Sequence, residues 1–247
     1  MPTPIALQLY SIRDLLAQDF AGGVRKVAEI GYAGVETAGF PGTTPQAAAR
    51  LFQGLGLAVC GAHIALPLGD EKNKVLDTLA ALGCTRLVCP ALPREQFQTV
   101  DGIRRACETL NAANDVARAN GLSLGYHTHW WEMLPVDGRL AYSYMLDDLS
   151  PDVFFEIDTY WAQTAGADPV AVVRELGARV PLLHIKDGPA RQGEPMTAAG
   201  DGVMDFPPII AAGAGFTEWL IFEMDTCATD ALEAVARSYR YLAGLGA

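Results

Sequence analysis

The five cysteines, at positions 60, 84, 89, 107 and 227, are odd in number and nowhere spaced C-x-x-C. They suggest neither a disulfide framework nor a Cys-type zinc site, and a reducing cytoplasm fits this usage best. Apolar runs are short. None approaches the roughly 18 residues of a membrane span, and MPTPIALQLYS at the start lacks a basic segment leading into an apolar run with a small-residue cleavage site. The expectation is a soluble cytoplasmic protein without a membrane partner. Positive charge is scarce too: 18 Lys and Arg stand against 29 Asp and Glu, a net charge of −11 over 247 residues, with no basic run. That balance argues against a nucleic-acid partner, whose phosphates must be met by Lys and Arg.

What the chain does have is apolar residues, 50% of the total, in short β-branched, aliphatic or aromatic runs that alternate with longer stretches of helical period. Strands are expected at 5–10, 33–37, 57–63, 86–90, 122–127, 153–158, 182–187 and 220–223. Helices are expected near 17–30, 44–55, 71–82, 99–120, 138–148, 168–178, 206–213 and 229–244. Asp168 before Pro169, and Asp205 before Phe206-Pro207, have the form of helix N-caps. Gly31, Gly56, Gly83, Gly121 and Gly177 each follow a helix, where a left-handed C-cap is common. Eight βα units without a Pro/Ser-rich linker predict an α/β fold, a single (β/α)₈ barrel over 1–247. An open doubly wound sheet is the alternative, weakened because no G-x-G-x-x-G follows the first strand. Gly200 to Asp205 reads as a turn that leads into a helix.

In a barrel, the C-terminal ends of the strands form one mouth, where reactive groups gather. His63, His127, His129 and His184, the four histidines of the chain, all fall there. So do Glu36, Glu132, Asp158, Asp187 and Glu223. An ionised carboxylate at the end of an apolar strand is costly unless something positive meets it. Lys186 is the one clear cation nearby, and a divalent metal ion would supply the remainder. Glu132, Asp158, His184 and Glu223, from the last four strands, can converge on such an ion. Oxygen-rich ligation with one imidazole suits Mn²⁺, Mg²⁺ or Co²⁺, with Zn²⁺ possible as well. Each residue also has an ordinary structural alternative: Glu132 a solvated loop acid, Asp158 a helix cap, His184 a core imidazole, Glu223 a partner of Lys186.

The segments YHTHWWE (126–132), FEIDTYWAQTAGADP (155–169), LLHIKD (182–187), GDGVMDF (201–206) and LIFEMD (220–225) resemble the sugar phosphate isomerase/epimerase superfamily of xylose-isomerase-like TIM barrels. The resemblance spans essentially the whole chain. It implies a metal held by Glu132, Asp158, His184 and Glu223, and substrate contacts from His63, His127, His129, Trp161 and Lys186. Many relatives place the first Glu directly at the end of the fifth strand, where this chain has His127. His127 or His129 could therefore replace Glu132 as a ligand; in an extended strand the two point to one face.

The implied reaction is proton abstraction next to a carbonyl through a metal-stabilised enediolate, with Glu132 and Glu223 as the proton-transferring pair. Isomerisation or epimerisation of a sugar or cyclitol is expected, with Mn²⁺ first among the ions. A dehydratase acting on an inosose or 3-keto-glycoside is the runner-up, and a non-catalytic sugar-binding subunit is the reading from another class. Trp130 and Trp131 serve either as an apolar wall for the sugar or as loop packing against the rim.

Overall fold

The computed structural model describes residues 2–246. Eight parallel strands close into a barrel: β1 (Ile5–Gln8), β2 (Gly34–Thr37), β3 (Ala58–His63), β4 (Arg86–Cys89), β5 (Ser123–His127), β8 (Phe154–Asp158), β9 (Leu182–Ile185) and β10 (Trp219–Phe222). β10 pairs with β1 and completes the ring. Helices surround it: α1 (Arg13–Gln18), α2 (Phe20–Ile30), α3 (Pro45–Gly54), α4 (Lys72–Leu82), α5 (Val100–Ala119), α6 (Ala141–Asp148), α7 (Thr159–Thr164), α8 (Pro169–Leu176), α9 (Phe206–Ala212) and α10 (Ala231–Gly244). Every expected strand is present, and the chain forms the expected TIM barrel.

Period-two alternation sorts the strand side chains into two compartments. One set packs outward against the helices, including Leu7, Val35, Leu87, Leu124, Tyr126, Phe155 and Leu183. The other fills the bore, where Ala6, Cys60, Val88, Phe154, Leu182 and Ile221 make a separate apolar plug. Gly125 leaves the space that the Phe154 ring occupies; any Cβ there would collide with it. Continuing the same parity toward the strand ends, the bore turns polar. Phe154, Glu156 and Asp158 share one face of β8, and the parity of Leu182 and His184 on β9 carries on to Lys186.

Local departures from the expected elements have local causes. The stretch expected as helix 17–30 is broken at Asp19, which is extended (φ −149°) and caps α2 by accepting from Gly22 N at 2.8 Å. The helix expected from 138 starts at Ala141, because Asp137 and Gly138 (φ 45° and 84°) make the tight turn of a small ribbon, β6 (Pro135–Val136) against β7 (Arg139–Leu140). Asp-Gly at the centre of such a turn is a recognised hairpin signal. Helix α7 was not anticipated; Asp158 caps it, its Oδ1 accepting from Trp161 N at 2.9 Å. Asp168 caps α8 as expected, whereas Asp205 precedes α9 without any side-chain cap. The glycines before it fold around Asp187 instead. That carboxylate accepts from the backbone N–H groups of Gly188, Gly200, Gly202 and Met204, pinning both ends of the 188–204 loop.

Candidate functional site

The polar upper bore is built from both halves of the barrel. β1, β2 and β3 contribute Gln8, Glu36 and His63; β5, β8 and β9 contribute His127, Glu156 with Asp158, and His184, while Lys186 and Glu223 lie just past the ends of β9 and β10. Apart from His63, with 9% of its side chain exposed, these groups are all but completely buried. Above them opens a cavity of about 400 Å³ lined by His63, His127, His129 and Glu223, with Tyr10, Ala38, Pro90, Ala91 and Asp225 around the mouth. No Lys or Arg is among the lining residues. Arg13, which lies over the Tyr10 ring, gives its guanidinium N–H groups to the carbonyls of Tyr10 and Asp225.

Two overlapping groups of side chains could hold a cation. His127, Asp158, His184 and Glu223 form the first; His63, His127, Glu156 and His184 form the second, and within each group one ligand atom per residue lies within 4.8 Å of the others. The two shared imidazoles present different nitrogens to each. His127 Nε2 faces Asp158 Oδ2 at 3.9 Å, while its Nδ1 lies 2.9 Å from Glu156 Oε2. His184 Nδ1 lies 2.8 Å from Glu223 Oε2, while its Nε2 lies 3.0 Å from Glu156 Oε2 and 2.8 Å from Glu36 Oε2. His63 Nε2 adds a third imidazole to Glu156, at 2.6 Å.

Lys186 brings a positive charge to the first group. Its Nζ lies 2.8 Å from Glu223 Oε2, 2.8 Å from Asp225 Oδ2 and 3.0 Å from Asp158 Oδ2. The contact to Asp158 is off the hydrogen-bonding direction, so the buried Oδ2 has a charge neighbour but no hydrogen bond. Burial raises the Asp158 carboxyl to about 6 against the pull of Lys186. Burial acts the same way on Glu223, but there Lys186 and His184 prevail and hold it well below the usual carboxylate range. His129 and His127 are kept neutral chiefly by burial, His127 falling to about 3. Between the deep acids, Glu156 is the ionised one, since imidazoles surround it; burial and the facing Glu156 raise Glu36 to about 7.

Of the four residues expected around the ion, the structure brings together three: Asp158, His184 and Glu223. Glu132 lies elsewhere. After His127 the chain turns back on itself, with Met133 N bonding to Trp130 O and Tyr142 N to Glu132 O. The turn carries the Glu132 carboxylate behind β5, where it accepts from Tyr126 OH at 2.5 Å and from His129 N at 2.8 Å. It is fully buried, so it is not a solvated loop acid either. His127 takes the place in the bore. Trp131 stacks on His129, ring centroids 4.2 Å apart, and Trp130 lies under the Arg94 guanidinium at 4.1 Å; neither lines the cavity. Trp161 packs beside Lys186, 5.7 Å from Nζ to the ring centre. The ordinary alternatives for Asp158 and Glu223 also hold, since Asp158 caps α7 and Glu223 pairs with Lys186. Glu156 was not foreseen; the signal was its parity, two residues before Asp158 and so on the same face.

A family profile described as xylose isomerase-like TIM barrel matches residues 24–244. The chain belongs to this family. Among solved structures, two of a sugar phosphate isomerase/epimerase from Parabacteroides distasonis share 25% identity with this xylose isomerase-like barrel. One superposes with a TM-score of 0.83 over 98% of this chain and 93% of its own; the other with 0.82 over 97% of each. A probable 3-DHS dehydratase from Bacillus anthracis has the same fold, at 14% identity and a TM-score of 0.74, covering 97% of this chain and 98% of its own. No curated protein matches the chain. Isomerases, epimerases and dehydratases thus stand among its structural neighbours. Among the described residues, no helix is long and apolar enough to cross a membrane.

Proposed function

We propose that the protein is a metal-dependent isomerase or epimerase of a neutral sugar, keto-sugar or cyclitol, working by proton removal from a carbon next to a carbonyl. The observation that carries this reading is the convergence of His127, Asp158, His184 and Glu223 beneath a cavity that His127 and Glu223 line and that has no Lys or Arg in its lining. These residues fit a divalent ion. They offer two imidazole nitrogens and two carboxylates, and the buried Asp158 Oδ2 lacks a hydrogen bond. Replacing Glu132 by His127 makes the set richer in nitrogen than expected from sequence, which moves the preference away from Mg²⁺ and toward Mn²⁺, Co²⁺ or Zn²⁺.

In this reading a bound divalent ion supplies Lewis-acid polarisation of the substrate carbonyl. Glu223 is the base: its carboxylate reaches the cavity and is held ionised by Lys186 and His184 against the effect of burial. His129 lines the same cavity as a neutral imidazole and takes the second proton-transfer role, which Glu132 cannot fill from behind β5. His63 and His127 meet substrate hydroxyls at the floor. The lining carries no Lys or Arg to meet a phosphate, which favours an unphosphorylated substrate.

The test is incubation of Mn²⁺-loaded protein with ketoses, inososes and 3-keto-glycosides in D₂O. Deuterium at carbon in recovered substrate or its epimer is the expected result. A dehydrated product would replace the isomerase reading with a lyase. Binding without exchange would make the protein a sugar-binding module and overturn the proposal.

A further inference from the structure

Glu156 has no place among the four proposed ligands, yet three imidazoles of the bore surround it. One oxygen, Oε2, lies 2.6 Å from His63 Nε2, 2.9 Å from His127 Nδ1 and 3.0 Å from His184 Nε2. The last two belong to the imidazoles that turn their other nitrogens toward Asp158 and Glu223. An imidazole that ligates through one nitrogen must be neutral, and its proton then sits on the other nitrogen, where it needs an acceptor. Glu156 Oε2 meets that need for His127, whereas the hydrogen-bond acceptor at His184 Nε2 is Glu36 Oε2 at 2.8 Å, with Glu156 Oε2 a second negative neighbour at 3.0 Å.

Resting on the metal site proposed above, we infer that Glu156 is a positioning residue that, together with Glu36, fixes His127 and His184 in opposite tautomers: Glu156 holds Nδ1–H on His127, and Glu36 with Glu156 holds Nε2–H on His184. His127 Nε2 and His184 Nδ1 are thereby left free for the ion. The second group of possible ligands, His63, His127, Glu156 and His184, is accordingly a hydrogen-bonded support beneath the site and not a second cation position. A cation there would claim the same two imidazoles through the nitrogens that must carry their protons. Glu36 supports only one of the two rings, through His184 Nε2 at 2.8 Å, and its Oε2 also accepts from Gln8 Nε2 at 2.8 Å.

The proposal is tested by calorimetric titration of Mn²⁺ into chelator-stripped full-length protein, comparing wild type, Glu156→Gln, Glu36→Gln and Asp158→Asn. Loss of an outer hydrogen-bond partner commonly weakens metal affinity about 10- to 100-fold. Glu156→Gln and Glu36→Gln are each expected to show a loss of that size with one ion still bound. Equal affinity in Glu156→Gln and wild type overturns the inference. So does abolished binding in Glu156→Gln with undiminished binding in Asp158→Asn, since the ion would then sit in the deeper group. Should Glu156→Gln give no cooperative melt, ¹⁵N-histidine NMR of the Zn²⁺-loaded wild type decides: coordination through His127 Nε2 and His184 Nδ1 supports the assignment, and either ring binding through its other nitrogen overturns it. If the wild type takes up neither Mn²⁺ nor Zn²⁺, it is the metal-dependent function that falls, and the positioning role falls with it.

Discussion

Glu223 and Glu132 sit at the same end of the barrel and are both almost completely buried, with 4% and 0% of their surface exposed. Their surroundings make them different acids. Glu223 stands in the bore beside Lys186 and His184, two groups that carry or can carry positive charge, and is held ionised below the usual range. Glu132 stands behind β5 facing a phenol and a peptide N–H, and burial lifts it to about 7 despite those hydrogen bonds. Burial alone does not give a carboxylate a catalytic role; the charge it faces decides what it does.

The sharpest way to break this comparison is to neutralise each acid in turn. Glu223→Gln should lower carbon-bound hydrogen exchange by about 10²- to 10⁴-fold, the range for loss of a general acid or base, while Glu132→Gln leaves it near the wild-type rate. Equal losses measured in D₂O would erase the distinction.

Lys186→Met addresses the charge that separates the two environments. Removing one partner of a buried ion pair costs about 3–5 kcal/mol, and here it leaves Asp158, Glu223 and Asp225 facing one another. Urea unfolding should show that loss in metal-free protein and a partial recovery when Mn²⁺ is added. No recovery would mean that the carboxylates do not receive a cation.

A smaller effect is expected behind β5. Glu132→Ala strands the buried Tyr126 hydroxyl and His129 N–H, at a cost of about 1–3 kcal/mol, with Mn²⁺ affinity unchanged; a drop in affinity would return Glu132 to the metal site. The pH dependence of the same residue sharpens the point. Well below pH 4.5 its carboxyl is protonated in folded and unfolded chains alike and contributes no slope. As pH rises, the unfolded chain releases its proton first, so stability falls until about pH 7, where the folded carboxyl has also ionised. Glu132→Gln should remove that part of the decline in a series of thermal melts between pH 4.5 and 7.

The fold was legible because each strand carries its own short apolar run and each helix its own period, and these are local properties. Asp158, His184 and Glu223 could be placed for the same reason: they end or follow strands whose parity points them inward. Glu156 was equally legible by parity, two residues before Asp158, but an acid inside an apolar run reads as an anomaly until its three imidazole partners are seen. The ribbon turning at Asp137-Gly138 was likewise signalled and fell inside an expected helix. Glu132 was not legible. It lies past the end of β5, where the two-residue repeat no longer governs side-chain direction.

The sequence by itself determined eight inward-facing stripes and the chemical types they bring to one rim, since side-chain direction along a strand is set by the backbone of that strand. Which acid meets a cation and which meets a phenol was decided only in the tertiary structure. The turn after His127 is tied to a residue distant in sequence, Thr128 N bonding to Glu156 O, and within its own loop by Tyr142 N bonding to Glu132 O. The first of these exists only once β8 has paired beside β5, and with it His127 faces the bore and Glu132 lies behind the strand.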